Sequence, residues 1–519
     1  MMRMPAFCKR HSNITTPRKV EPHGLTEEFF LKSVMKVPRP KIWVVAATVL
    51  LFLLVMGFEN YLTTSRRTAS SGFTSEGAKP LAVLANLIIP QKTIRMELPH
   101  HPLRSEADLD ILLREIGDAR VVLLGEASHG TAEYYTWRAT ITKRLIQEKG
   151  FDFIAVEGEW ADSYRVNNFI KGSQQDNAAA VQLLRHYNRW PTWMWGNYEV
   201  ADLVTWLNNY NQQPAGGQKA GFFGLDVYCL WEALEDIMPY LEGTNKEVLQ
   251  AAQQAHRCFQ PYTDDAQAYA MAVARASDNC RTETNRLWRH MQELTNNGVP
   301  QSEELFVAQQ HALVALNGER YYRAMVSDNS DSWNIRDRHM AETLDRLLQL
   351  HGSGSKAIIW EHNTHVGDAR YTDMAQRGEV NVGQLARKAY GEENVYIVGF
   401  GSYQGSVIAA SRWGAPIKKM PVPAAQEGSW EQLLHADGGT DKLLFSKDIR
   451  DNKRLKRSIG HRAIGVVYNP SLERFGNYVP SIIPQRYDAF MFFDQTEALH
   501  PLDTPVKGNE PPDLYPFGT

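Results

Sequence analysis

The feature that most constrains this chain is an alternation. Short apolar runs fit for buried strands are separated by stretches with apolar residues at three- and four-residue spacing, which is the signature of helices packed on a mainly parallel sheet. The runs read as strands are Arg120–Gly125, Phe151–Glu157, Gly221–Asp226, Lys356–Glu361, Val395–Phe400, Ser406–Ser411, Lys442–Phe445, Ala463–Val467 and Asp488–Phe493. Between Asp226 and Lys356 the strand signal stops. Trp231–Leu241, Lys246–Cys258, Ala266–Ala276, Thr282–Asn296, Glu303–Ala324 and Trp333–Leu350 carry helical spacing instead. The expected fold class is therefore α/β, a mainly parallel central sheet flanked by helices, with an all-helical insert over about 229–352.

Charge divides the chain differently. The 519 residues carry a net charge of −3, but residues 1–41 hold nine Lys and Arg against three Glu. The remainder then carries −9, the wrong sign for neutralising a nucleic-acid backbone, which needs a basic face, so no nucleic-acid partner is expected. After the basic head, Ile42–Phe58 (IWVVAATVLLFLLVMGF) has no charge, which is just long enough to span a hydrocarbon core. The basic flank before it predicts a cytoplasmic head and a body outside the cytoplasm, periplasmic or at the cell surface. An uncleaved anchor is favoured over a signal peptide, because the flank GFENYLTTSRRTASSG offers only weak cleavage sites; a start at Met35 is an alternative. Residues 59–80 read as a flexible linker rich in Ser, Thr and Gly, and 81–519 as the catalytic domain.

Four cysteines do not make a disulfide scaffold. Cys258 and Cys280 flank a short helical stretch, and a bridge between them and two separate buried thiols are equally compatible with the sequence.

The polar residues at strand ends carry the functional argument. VVLLGEASHG places Glu126 and His129 just past one strand, FDFIAVEGEW places Glu157 and Glu159 at the end of the next, GFFGLD ends in Asp226, and KAIIWEHNTHVGD carries Glu361, His362 and His365 past a fourth. Ligands of parallel sheets bind outside the carboxyl ends of the strands. A lone His after a strand is more often structural than catalytic, but four such ends delivering acids and imidazoles to one rim point to chemistry. Ser128 lacks the glycine two residues earlier that a nucleophilic elbow needs, and no phosphate- or dinucleotide-binding glycine signature follows a strand. The set fits hydrolysis, with water deprotonated by a histidine or bound to a divalent metal.

Several blocks in order resemble the erythromycin esterase family: LLGEASHGTAEYYTWRATITKRLI, FIAVEGEWADSYRVNNFI, RWPTWMWGNYEV, GLDVY, SWNIRDRHMAET, WEHNTHVGD and SLERFGNYVPSIIPQRYDAFMFFDQTEALHPL. The likeness runs from about Arg95 to Leu502. It implies a hydrolase, antibiotic-inactivating in its drug-resistance members, that opens a macrolide lactone by adding water to its ester. On that resemblance His129 is the base, supported by Glu126, and Arg138, Glu157, His362 and His365 fill the remaining family positions. No cofactor is expected, a divalent metal being left open. By position alone Arg138 reads as a surface ion pair, whereas the resemblance has it, or one of His362 and His365, offset charge on the ester oxygen. Trp190, Trp193 and Trp195 are expected to form an apolar wall for a small-molecule ester, with Asp226, Arg336 and Asp337 as further substrate-binding residues and Asn334 beside them in the cleft. Two other classes remain: a metal-dependent envelope amide or ester hydrolase with a different substrate, and a non-catalytic glycan- or ligand-binding module.

Overall fold

The computed structural model describes residues 96–213, 219–243, 245–262, 265–276, 279–296, 302–326 and 331–504. Among the described residues nine strands form one sheet: β1 (His101–Pro102), β2 (Val121–Leu124), β3 (Phe153–Glu159), β4 (Gly221–Asp226), β5 (Ala357–Trp360), β6 (Val395–Ala409), β7 (Lys418–Val422), β8 (Lys442–Phe445) and β11 (Ala489–Thr496). Their order is β1-β8-β11-β6-β2-β5-β3-β4, with β7 paired to the far half of β6. The five pairings from β11 across to β4 are parallel. Both faces of these strands are buried, which is why they read as unbroken apolar runs. One core packs Val122, Leu124, Ile154, Val156 and Trp360 beneath the helix Ala132–Lys149. The other packs Leu123, Ala155, Leu225 and Ile359 against the helices Trp160–Lys171 and Asp331–His351.

Three strand readings change. Val395–Phe400 and Ser406–Ser411 are one strand, β6, because its inner half pairs with β2 and β11 and its outer half continues onto β7. Ala463–Val467 is buried but forms no ladder; its backbone divides between Ala127, whose carbonyl accepts from Ile464, and Ala410, which donates to Val466. The strand there lies earlier, β9 (Ile459–Arg462), paired with β10 (Tyr478–Ser481) in a separate two-stranded sheet.

Between β4 and β5 the chain is helical, as Leu230–Asp236, Met238–Glu242, Lys246–Phe259, Ala266–Ala276, Arg281–Asn296, Glu303–Ala324 and Asp331–His351. Pro239, in the first turn of the second helix, breaks the expected run Trp231–Leu241 into two. These helices enclose their own core, including Trp231, Phe259, Tyr269, Leu287 and Ala312. Cys258 and Cys280 are joined by a disulfide, while Cys229 is a buried free thiol.

The head, the apolar segment Ile42–Phe58 and the linker lie outside the described residues. Among the described residues no helix is long and apolar enough to cross a membrane. The expected anchored, outward-facing body is corrected accordingly.

Candidate active site

Strands β2, β3, β4 and β5 run parallel, so their carboxyl ends open on one rim. At that rim β3 carries a bulge: Val156 pairs with Gly224 but Glu159 pairs with Asp226, leaving one extra residue on β3. A bulge re-aims the side chain it contains, and Glu157 lies within it. Gly224 is needed opposite, since a Cβ there would lie 2.3 Å from the Glu159 carbonyl.

Past β2, Nδ1 of His129 lies 2.9 Å from Oε1 of Glu126, and Nη2 of Arg138 donates to Oε2 of the same carboxylate at 2.7 Å. All three side chains are at most 2% exposed. The surface position read for Arg138 is corrected: its guanidinium is buried in the corner of two edge-to-face rings, 4.5 Å from Tyr135 and 4.6 Å from Trp360. From beneath Glu126 it fixes the orientation of the carboxylate that faces His129. Because the Glu126 carboxylate accepts from Nδ1, the neutral His129 ring leaves Nε2 bare. Ser128, by contrast, is paired with Thr131.

Past β5, His362 caps the short helix Asn363–Val366. Its Nδ1 accepts from the Thr364 N–H at 3.3 Å and lies 2.8 Å from Thr364 Oγ1. Burial, with His129 next, pushes its pKa well below the ordinary histidine value. His362 is therefore a neutral ring carrying its proton on Nε2. That atom makes no hydrogen bond of ordinary geometry among the described residues, its ring being near enough to the Ala127 backbone only for a weak one. The His129 and His362 ring centroids are 4.9 Å apart.

His365 belongs to a second, deeper network. Its Nδ1 lies 3.0 Å from Asp337 Oδ1, and its Nε2 is 3.1 Å from Arg336 Nη1 and 3.4 Å from Glu157 Oε1. Arg336 also donates to Glu157 at 2.8 Å and to Asp226 at 3.0 and 2.6 Å. Burial opposes the charge on Glu157, but His365, Arg336, His129 and the His362 N–H outweigh it and hold this carboxyl well below the usual range. Burial raises Asp337 despite His365 beside it, and burial lowers His365 less than Asp337 and Glu157 raise it.

The structure thus brings all six expected catalytic side chains to one rim. The substrate-binding set is revised. Asp226, Arg336 and Asp337 are 3%, 5% and 0% exposed; Arg336 pairs with Asp226 and Glu157, Asp337 with His365, and the two aspartates also accept from the Val227 and Val382 N–H groups. Trp193 and Trp195 are core residues, Trp195 donating its Nε1–H to the Glu157 carbonyl at 2.9 Å. Only Trp190 of the three is half-buried, 4.4 Å from the Trp413 ring. Asn334 is tied to the backbone of Gly378 and Val380. Sequence reading did not single out Trp333, which stacks on the His365 ring at 4.5 Å; its signal was its position one helical turn before Arg336 and Asp337. Glu361 is fully buried with neither carboxyl oxygen partnered among the described residues, and burial with Glu157 and Asp337 nearby pushes it far up.

Among the described residues no group of three or more His, Cys, Asp or Glu side chains is arranged to hold a metal ion. The cation between Glu157, Asp226 and His365 is the Arg336 guanidinium.

Known proteins share this architecture. A chain titled as a succinoglycan biosynthesis protein superposes with a TM-score of 0.65 at 19% identity, covering 82% of this chain and 100% of the other. A mutant of erythromycin esterase EreC in its open conformation does so at 0.60 and 16%, covering 77% and 98%. Erythromycin esterase type II of Escherichia coli is 24% identical over 378 residues, covering 68% of this chain and 87% of that protein. The family model described as erythromycin esterase matches residues 146–496. With the match spanning more than half of its length, this chain belongs to the erythromycin esterase family of hydrolases.

Proposed function

We propose that this chain hydrolyses the ester of a macrocyclic lactone by direct attack of water, with His129 as general base. The observation that carries the reading is the opposed tautomers of two neighbouring rings: Glu126 leaves Nε2 of His129 an acceptor, and Thr364 leaves Nε2–H of His362 a donor. Water placed between base and carbonyl gives one proton to His129 Nε2 while its oxygen bonds to the carbonyl carbon. The oxyanion so formed accepts from His362 Nε2–H, a neutral donor whose buried setting strengthens the bond. The tetrahedral centre then expels the ring alkoxide, which takes the proton back from His129, leaving a linear hydroxy acid. Glu126, held by Arg138, stabilises the transient imidazolium. Arg138 lies behind Glu126 and acts on the carboxylate, leaving the ester oxygen to His362. Glu157, Asp226, Arg336, Asp337 and His365 hold the His362 loop against the sheet, since Glu157 Oε2 accepts the His362 N–H at 2.8 Å. Trp190 and Trp413 supply the aromatic surface for the substrate.

The test is a 14-membered macrolide incubated with the enzyme in water enriched in oxygen-18 and read by mass spectrometry. The expected product has gained one water with the label in its new carboxylate. An intact lactone after incubation with folded protein removes the macrolactone as substrate and turns the search to other esters.

A further inference from the structure

Behind the loop that carries His362 and His365 is a second buried imidazole–carboxylate pair that the mechanism above does not use. Nδ1 of His461, on β9, is 2.6 Å from Oε1 of Glu431, on the helix Trp430–Ala436. Their side chains are 1% and 0% exposed. Nε2 of His461 is 3.2 Å from Nδ2 of Asn363, the residue that follows His362 and precedes His365 by two.

The Asn363 amide has one orientation. Oδ1 accepts the Phe400 N–H at 3.2 Å and Nδ2 donates to the Phe400 carbonyl at 2.6 Å, leaving the second amide hydrogen for His461. Nε2 of His461 is therefore an acceptor, and its proton is on Nδ1, donated to Glu431. The Asn363 main chain is held as tightly, its N–H donating to the Glu126 carbonyl at 2.8 Å and its carbonyl accepting from Arg486 Nη2 at 2.7 Å. Gly125 makes room for this: a Cβ there would lie 2.1 Å from Asn363 Oδ1. One residue thus ties the base's strand end, through its main chain, to the β6 backbone, through its side chain, and its remaining amide hydrogen is set by His461.

We propose that Glu431, His461 and Asn363 form a relay that fixes the spacing between His129 and His362, making His461 a positioning residue for hydrolysis. This rests on the functional reading above. A residue that merely fills space here could be replaced by any apolar side chain of its size. The relay instead demands an acceptor facing Asn363 and a donor facing Glu431. A proton on Nε2 would set N–H against N–H at Asn363. Arg462 and Arg486 disfavour the added charge and Glu431 favours it, while Tyr487 and Phe490 close the remaining sides with rings 5.9 and 5.3 Å away. Burial is the largest influence and keeps the ring neutral.

The experiment compares the full chain with His461→Met and His461→Gln, with 15N-labelled histidine in each. Met fills the volume without an oxygen acceptor, whereas Gln restores one toward Asn363. Expected for His461→Met is a folded protein whose kcat on a 14-membered macrolide falls about tenfold to a hundredfold with KM nearly unchanged, as misplacement of reacting groups causes. His461→Gln recovers much of that loss. Wild-type His461 shows the Nδ1–H tautomer, and the His362 and His365 ring signals move in the Met variant. Wild-type kcat in a folded Met variant, equal loss in both variants, or a wild-type His461 protonated on Nε2 overturns the relay. If the wild type opens no lactone, the functional reading fails, and the tautomer of His461 with the His362 and His365 signals still decides the relay. The wild-type tautomer does so even if the Met variant does not fold.

Discussion

Arg138 Nη2 and Glu126 Oε2 meet at 2.7 Å with neither side chain more than 2% exposed. An ion pair so buried has given up its hydration, and each charge is tolerable only because the other is present. Removing one partner strands the other.

Arg138→Met is accordingly expected to cost about 3–5 kcal/mol, the usual penalty for breaking a buried pair, and to lower kcat sharply because Glu126 loses the partner that fixes it behind His129. The double variant Arg138→Met with Glu126→Gln should regain much of the stability and none of the activity. Urea unfolding of the four proteins in the cycle checks this, and additive losses would contradict it.

Glu361 supplies a pH prediction of definite sign. Burial raises its folded-state pKa well above the ordinary glutamate value, so above that ordinary value the unfolded chain releases a proton that the folded chain retains. Stability from this group is complete at low pH and falls as pH rises toward the folded pKa, by about 1.4 kcal/mol per unit. Glu361→Gln removes that loss. The difference between variant and wild type should be flat below the ordinary glutamate range and shift progressively in the variant's favour as pH rises above it, as measured by denaturation at each pH; a constant difference would show that Glu361 is ionised in the fold.

The rim was legible because parallel strands buried on both faces write unbroken apolar runs, and a polar residue ending each run must then face the carboxyl edge. Glu126, His129, Glu157, His362 and His365 were found that way. Arg138 was not, because its burial depends on the Tyr135 and Trp360 rings, and Trp360 stands 222 residues further along the chain. Asn363 and His461 left no local pattern either, their pairing spanning 98 residues. Trp193 and Trp195 misled for the opposite reason: a dense aromatic run has the same composition whether it lines a cleft or fills a core.

The Cys258–Cys280 bridge closes a 22-residue separation within the helical region. Loop-closure entropy puts its contribution at about 3 kcal/mol. Intact mass with alkylation, before and after reduction, should show two thiols appear on reduction, and Cys258→Ser should lower the unfolding temperature. Two free thiols in the native, unreduced protein would contradict the pairing.

Arg336 already supplies the positive charge between Glu157, Asp226 and His365, so dialysis against EDTA should leave activity unchanged. Arg336→Ala should abolish it by releasing the His362 loop. Activity lost to the chelator and restored by zinc would assign the chemistry to a metal.

The account's central claim is that His129 removes the proton from water, and the most direct test is the single-turnover rate of lactone opening by wild type and His129→Ala on one 14-membered macrolide. Opening by wild type with loss of about two to four orders of magnitude in the variant, the range general-base catalysis provides, at unchanged fold by circular dichroism, is the predicted result. Comparable rates from both proteins would contradict it.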